Sequence, residues 1–187
     1  WNITYYDVYL FSKTKHMKIE VKNIKTNMMF SEETICFKGD LYLDGKKVGH
    51  CENDGHGGCT NYYGIEKYHS EDIKRMEEYC KTLPKVKHGD MEWEQSLEGV
   101  IDGIIDDHVN DKEKKKFQKK MEKDMLTKLV LSKGNPNQYE TVGWKGGITI
   151  EKILNNPLWR SSFINTINKY KGEGYTILNT NIPQELL

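Results

Sequence analysis

The strongest constraint on the fold is the signature of a β-hairpin. Every second residue from 35 to 43 is apolar or glycine, which predicts the buried face of a strand. These residues are Ile35, Phe37, Gly39, Leu41 and Leu43. The Asp-Gly pair at residues 44–45 tolerates positive φ angles, and Val48 begins the return strand. We therefore expect Leu41 to face Val48 on the core side, with Tyr42 opposite Lys47 on the outer side. This register also places Cys36 and Cys51 on the same face.

Helical patterns follow the hairpin. Ser70 is a suitable N-cap for a helix that Pro84 ends, and a second helix is predicted from about Glu92. Apolar residues at intervals of four predict a third helix, or the continuation of the second past a bend near Asn110: Phe117, Met121, Met125 and Leu129. Asn156 before proline predicts the start of the last helix, and a final strand follows it. These elements predict an α+β fold with a mainly antiparallel sheet and a hairpin packed on amphipathic helices.

Length and composition suit one small domain. The chain has 187 residues, and Met17 has the context of a natural start. We therefore expect residues 1–16 to be a fused or upstream strand segment and residues 17–187 to form a single α+β domain. The sequence is 36% apolar and has a formal net charge of zero, which predicts a soluble protein and gives no global attraction to polyanions. No apolar run is long enough to cross a membrane, so we expect a cytoplasmic location and no membrane partner.

Cysteine and histidine spacing offers one metal hypothesis. Thiolate and imidazole ligands suit zinc, and a Cys-x4-His-x2-Cys run with a fourth thiol from the hairpin gives the candidate set Cys36, Cys51, His56 and Cys59. The paired Cys-x2-Cys of many zinc motifs is absent, so packed thiols beside a glycine loop are the alternative.

Residues 53–64 contain so many turn formers that they predict a loop. The candidate binding residues for another protein are on and beside this loop: Asn53, Asp54, His56, Tyr62, Tyr63 and Tyr68. Its glycines are also compatible with a backbone nest for phosphate, although the lysine and the following helix of a phosphate loop are missing.

Charge is segregated along the helical middle of the chain. Glu98, Asp102 and Asp106 recur every four residues, which is typical of a solvated helix face and is also compatible with a metal or proton-relay site that includes His108. The lysine-rich segment Lys112–Lys123 is a candidate for contacts with nucleic acid phosphates, for pairing with the acidic segment, or for simple solvation. The chain has only two arginines, Arg75 and Arg160, so we do not expect sequence-specific base reading.

The segment DGKKVG at residues 44–49, followed by NDGHGG at 53–58, resembles small uncharacterised proteins encoded by bacteriophages and prophages. The end of the chain at residues 174–181 is similar to theirs. The resemblance implies an accessory factor of a phage or mobile element that binds a host protein in the host cytoplasm. It implies no catalytic residue, and the sequence contains no Ser-His-Asp grouping or nucleophile elbow. The alternative is a zinc-stabilised module that associates with nucleic acid through its lysine-rich helix.

Overall fold

The computed structural model describes residues 17–66, 69–135 and 137–187, without the side chains of His69 and His88. The predicted N-terminal segment 1–16 lies outside this range. The described residues form nine strands and four helices: β1 (Ile19–Thr26), β2 (Phe37–Leu43), β3 (Lys46–Asn53), β4 (Asn61–Gly64), α1 (His69–Thr82), β5 (Val86–His88), β6 (Met91–Trp93), α2 (Leu97–Met125), β7 (Lys128–Ser132), β8 (Glu140–Gly143), α3 (Ile150–Asn155), α4 (Pro157–Gly172) and β9 (Thr176–Ile177). The predicted α+β class is confirmed.

The chain divides into two compact units, residues 1–111 and residues 112–187. Helix α2 contains the boundary between them. The expectation that residues 17–187 form a single domain stays a prediction, because it concerns whether the two units fold cooperatively.

The first unit is built on an antiparallel sheet in the order β1-β2-β3-β4. One face of the sheet supplies Phe37, Leu41 and Val48 to a core that is completed by α1 and the first part of α2. The helices contribute apolar residues at helical spacing, namely Ile73, Met76, Cys80, Leu97, Ile101 and Ile105.

The predicted hairpin is present, with Asp44 at φ 50° and Gly45 at φ 83° in a two-residue turn. Tyr42 lies opposite Lys47 as expected, but Leu41 pairs with Gly49, so Val48 is an extra residue in a β-bulge. The bulge reverses the faces of the residues that follow it on β3. Cys51 therefore lies on the core side, contrary to the predicted register.

Two further expectations need correction. Residues 61–64 of the predicted loop form strand β4, in which the β-prone pair Tyr62 and Tyr63 extends the sheet beside β3. The alternative of one continuous helix in the middle of the chain is confirmed by α2, but this helix begins at Leu97 rather than near Glu92. Leu129 is not on it, since it is a fully buried residue of strand β7.

The second unit is a three-stranded antiparallel sheet in the order β8-β7-β9, covered by α3 and α4. Phe163 and Ile167 of α4 pack on Leu129 and Leu131 of β7. The predicted cap of α4 is confirmed, because the Asn156 side chain accepts hydrogen bonds from two free amides of the first turn, those of residues 158 and 159. Within the described residues, no helix is long and apolar enough to span a membrane.

Candidate functional site

Three parts of the first unit enclose a groove. They are the glycine loop between β3 and β4 (residues 54–60), the segment after β1 (residues 28–35) and one side of α2. The groove has a volume of about 600 Å³ and includes Thr34, Asn53 and Asp102 in its walls. We call it the acidic groove, because its charged lining residues are all carboxylates: Glu32, Glu33, Glu98, Asp102 and Asp106. No lysine, arginine or histidine is among the described residues that line it.

Asn53 connects the glycine loop to the segment after β1 through hydrogen bonds. Its side chain is buried, and its Oδ1 accepts hydrogen bonds from the Thr34 hydroxyl at 2.8 Å and the Gly55 amide at 2.9 Å. Its Nδ2 donates to the Gly58 carbonyl at 2.9 Å and to Thr60 Oγ1 at 3.2 Å. A buried amide that satisfies four partners fixes the shape of the groove floor.

Gly55 is the second anchor of the glycine loop. Its carbonyl oxygen accepts hydrogen bonds from the backbone amides of three successive residues, Glu32 at 2.9 Å, Glu33 at 3.2 Å and Thr34 at 3.4 Å. Its φ is +93°, and a Cβ at this position would overlap the Phe30 carbonyl oxygen and lie 2.9 Å from the Cys36 Cβ. Only glycine therefore allows this close approach of the two loops.

The loop amides do not form an open phosphate nest. The Gly55 amide donates to Asn53, the His56 amide to Asp54 Oδ1 at 3.1 Å, and the Gly57 amide to Thr34 Oγ1 at 3.3 Å. These three amides already donate hydrogen bonds to oxygens of the chain itself, and carboxylates line the groove. The loop is therefore not arranged to bind an anion.

Helix α2 is joined to the loop through Thr60. The buried Thr60 donates its amide to Glu98 Oε1 at 3.0 Å and its hydroxyl to Asp102 Oδ1 at 2.6 Å. Burial raises the pKa of the Asp102 carboxyl, and the Glu98 and Asp106 carboxylates add to this rise, while the Thr60 hydrogen bond opposes it. The acidic side of α2 is therefore a wall of the groove. The sequence pattern favoured a purely solvated helix face, and this expectation is wrong.

Next to the acidic groove, a 3-10 turn exposes three consecutive large apolar side chains. Met28, Met29 and Phe30 are exposed by 56%, 91% and 57%, and Met28 also lines the groove. We call these three residues the apolar rim. Helix and strand periodicity does not single out these residues, although three large apolar residues between the polar Asn27 and Ser31 are a recognisable local signal.

The predicted binding residues have separate roles. Asn53 is a structural anchor, whereas Asp54 and His56 are exposed on the loop, and His56 Nδ1 is 3.2 Å from Glu32 Oε2. On β4, the hydroxyl of Tyr62 donates to Glu77 of α1 at 3.0 Å, and burial raises the pKa of Tyr62 to about 12. Tyr62 is thus tied to the fold.

The other predicted aromatics do not complete an aromatic patch. Tyr63 is 48% exposed and donates to Glu52 Oε1 at 3.1 Å on the outer face of the sheet. Tyr68 lies outside the described residues.

The four predicted zinc ligands do not converge, and no three His, Cys, Asp or Glu side chains in the described part of the chain form a metal-binding group. Cys51 is buried on the core side, with its Sγ 3.8 Å from the Gly39 carbonyl oxygen. Burial raises the pKa of its thiol to about 12, which disfavours the thiolate that zinc requires. Cys36 is half-buried, whereas Cys59 and His56 are exposed. The β-bulge explains this, since it turns Cys51 away from the face on which the hypothesis placed it.

Comparison with protein families, with curated proteins and with solved structures gives no match to this chain.

Proposed function

We propose that the chain is a protein-interaction module whose first unit binds a basic segment of a partner protein. The observation that carries this proposal is the apolar rim beside the acidic groove. A partner segment with lysine or arginine next to a large apolar side chain would match both features. Following the resemblance to phage-encoded accessory proteins, we propose a host protein in the host cytoplasm as the source of that segment.

Exposure of the apolar rim supports a docking role. Single exposed apolar side chains are common, but here three consecutive large ones are exposed to water, one of them by 91%. Burying such a side chain on binding contributes up to about 1.5–3 kcal/mol before the costs of association are subtracted. Methionine also adapts its shape to different partners.

The groove supplies charge complementarity. Its five carboxylates would attract a basic segment, raise its association rate and disfavour acidic competitors. Thr60 holds Glu98 and Asp102 in place, so little side-chain freedom is lost there on binding.

The test uses the full chain and four labelled peptides of equal length, which combine lysine or glutamate with leucine or serine. We expect the Lys/Leu peptide to bind most tightly in fluorescence anisotropy, and its affinity to fall as salt is added. Met29→Ala should weaken binding, whereas Leu158→Ala, which truncates an 82% exposed leucine of the second unit, should not.

A second matched pair tests the charge. Asp106 lines the groove and Asp107, its exposed neighbour on α2, does not. Asp106→Asn should therefore weaken binding of the Lys/Leu peptide more than Asp107→Asn. Equal effects of the two substitutions, or equal binding of the Glu/Leu peptide, would contradict the proposal.

A further inference from the structure

The neutral net charge of the chain conceals two oppositely charged units. Residues 1–111 contain 14 Lys and Arg against 21 Asp and Glu, a formal charge of −7. Residues 112–187 contain 14 against 7, a formal charge of +7. Local polyanion binding is therefore open to the second unit, although the whole chain has no net attraction for polyanions.

A pocket of the second unit combines positive charge with aromatic rings. It has a volume of about 500 Å³, within the range of small-ligand sites, and is lined by Phe117 of α2, Tyr139 before β8, Lys120 and Lys133. The Phe117 and Tyr139 rings meet edge to face with centroids 5.3 Å apart. The Tyr139 hydroxyl donates to Asp124 Oδ2 at 2.9 Å, which fixes its ring in the pocket wall.

The two lysines are available for a ligand. Within the described residues, neither Lys120 nor Lys133 has a carboxylate oxygen within 4.0 Å, and both are exposed. Lys133 lies over the Tyr175 ring, with its Nζ 5.1 Å from the ring centroid. Glu140 is the only acidic residue among the described residues of the lining, and its carboxylate is 3.4 Å from the Tyr175 hydroxyl. Asp124 lies outside the lining and is paired with Lys128 at 2.8 Å.

The positive charge continues away from the pocket along α2. Lys116, Lys120 and Lys123 are spaced four and three residues apart, so they are neighbours on one side of the helix, and all three are exposed. Seven residues of helix span about 10 Å, which is long enough to contact successive phosphates. A chain of phosphates with one base in the pocket would use both features.

From these observations we propose that the second unit binds single-stranded nucleic acid, with a base in the pocket against the Phe117 and Tyr139 side chains and the backbone along the lysines of α2. Aromatic rings beside a basic track are how sequence-tolerant single-strand binders hold their ligands. Arg160 is the only arginine of residues 112–187, so the site has little means of bidentate guanine recognition and binds without marked sequence preference.

The experiment measures binding of labelled oligothymidylate to the full chain by fluorescence anisotropy at several salt concentrations. We expect Phe117→Leu to weaken binding about tenfold, as the loss of one stacked base does, with little change in the salt dependence. The double variant Lys120→Ala, Lys133→Ala should reduce the slope of log affinity against log salt by about 1.4. The matched control Lys145→Ala, Lys152→Ala removes the same charge from exposed positions outside the pocket lining and should leave the slope nearly unchanged.

Competitors decide the ligand class. Oligouridylate that competes as well as oligothymidylate supports the proposal, and a preference for one of them identifies RNA or DNA as the source. Polyglutamate of equal charge competing equally, or a duplex binding more tightly than a single strand, would overturn it. Because Phe117 is half-buried, Lys120→Glu with Lys133→Glu serves as a surface variant, and unchanged affinity of that variant would also overturn the proposal.

Discussion

Three glycines of one loop should respond to alanine in a graded way. At Gly55 the φ of +93° costs an alanine about 1–2 kcal/mol. The overlap of its Cβ with the Phe30 carbonyl oxygen requires a backbone shift, and such overpacking costs about 1–3 kcal/mol. Gly55→Ala should therefore lower the free energy of unfolding of the first unit by about 2–5 kcal/mol, the sum of these two costs.

The neighbouring glycines are internal controls. Gly57 has a φ of +87°, but the atom nearest to a new Cβ belongs to the exposed carboxylate of Glu33, which can move aside. Gly57→Ala should therefore cost only the strain of about 1–2 kcal/mol. Gly58 has no positive φ and nothing within 4 Å of the added Cβ, so Gly58→Ala should lie between no change and a gain of about 1 kcal/mol.

The assay is a urea titration of each variant followed by pulsed alkylation of Cys51, a buried thiol of the first unit. This probe reports exposure of the unit that contains the loop. If Gly55→Ala and Gly58→Ala unfolded within about 0.5 kcal/mol of each other, the described anchoring of the glycine loop would be refuted.

Three further predictions concern the same unit. Asn53→Ala should destabilise it by about 2–4 kcal/mol in the urea assay, because four hydrogen bonds of about 1 kcal/mol each are lost, whereas Asn61→Ala at an exposed position should change stability by less than about 0.5 kcal/mol. Equal effects would exclude the anchoring role of Asn53. Since the pKa of Asp102 is raised in the folded state, its contribution to stability is present below the ordinary aspartate pKa and is lost as the pH rises through the folded-state pKa. Asp102→Asn should therefore become more stable relative to the unmodified chain between acidic and neutral pH, and a pH-independent difference in the urea midpoint would contradict this. Native protein should be alkylated at the exposed Cys59 well before Cys51, as mass spectrometry of the peptides would show, and equal rates would refute the burial of Cys51.

Local chemistry made part of the fold predictable. The turn at residues 44–45 and the cap at Asn156 depend on neighbouring residues alone, so the sequence predicts both correctly. The bulge at Val48 was not predictable in this way, because Gly49 allows the backbone of Tyr63 on β4 to approach where a Cβ would overlap its carbonyl oxygen. This contact joins residues of two different strands, and the bulge beside it places Cys51 on the core face.

The candidate site shows the same division. The spacing of Glu98, Asp102 and Asp106 predicts one shared helix side, and this is what the groove uses. Periodicity could not reveal that Thr60 binds two of them, since that contact joins residues about 40 positions apart. Hydrogen bonds from the buried Thr60 make this charged helix face a wall of the groove.

The most direct test of the account is to locate the Lys/Leu peptide on the full chain. Methyl-labelled methionines suit this purpose, because Met28 and Met29 belong to the apolar rim, while Met91 is a similarly exposed methionine outside it. We predict that titration with the peptide shifts the NMR signals of Met28 and Met29 and leaves that of Met91 unchanged. Shifts confined to Met91 or other methionines, with Met28 and Met29 unaffected, would contradict the proposal that the groove and its rim form the protein-binding surface.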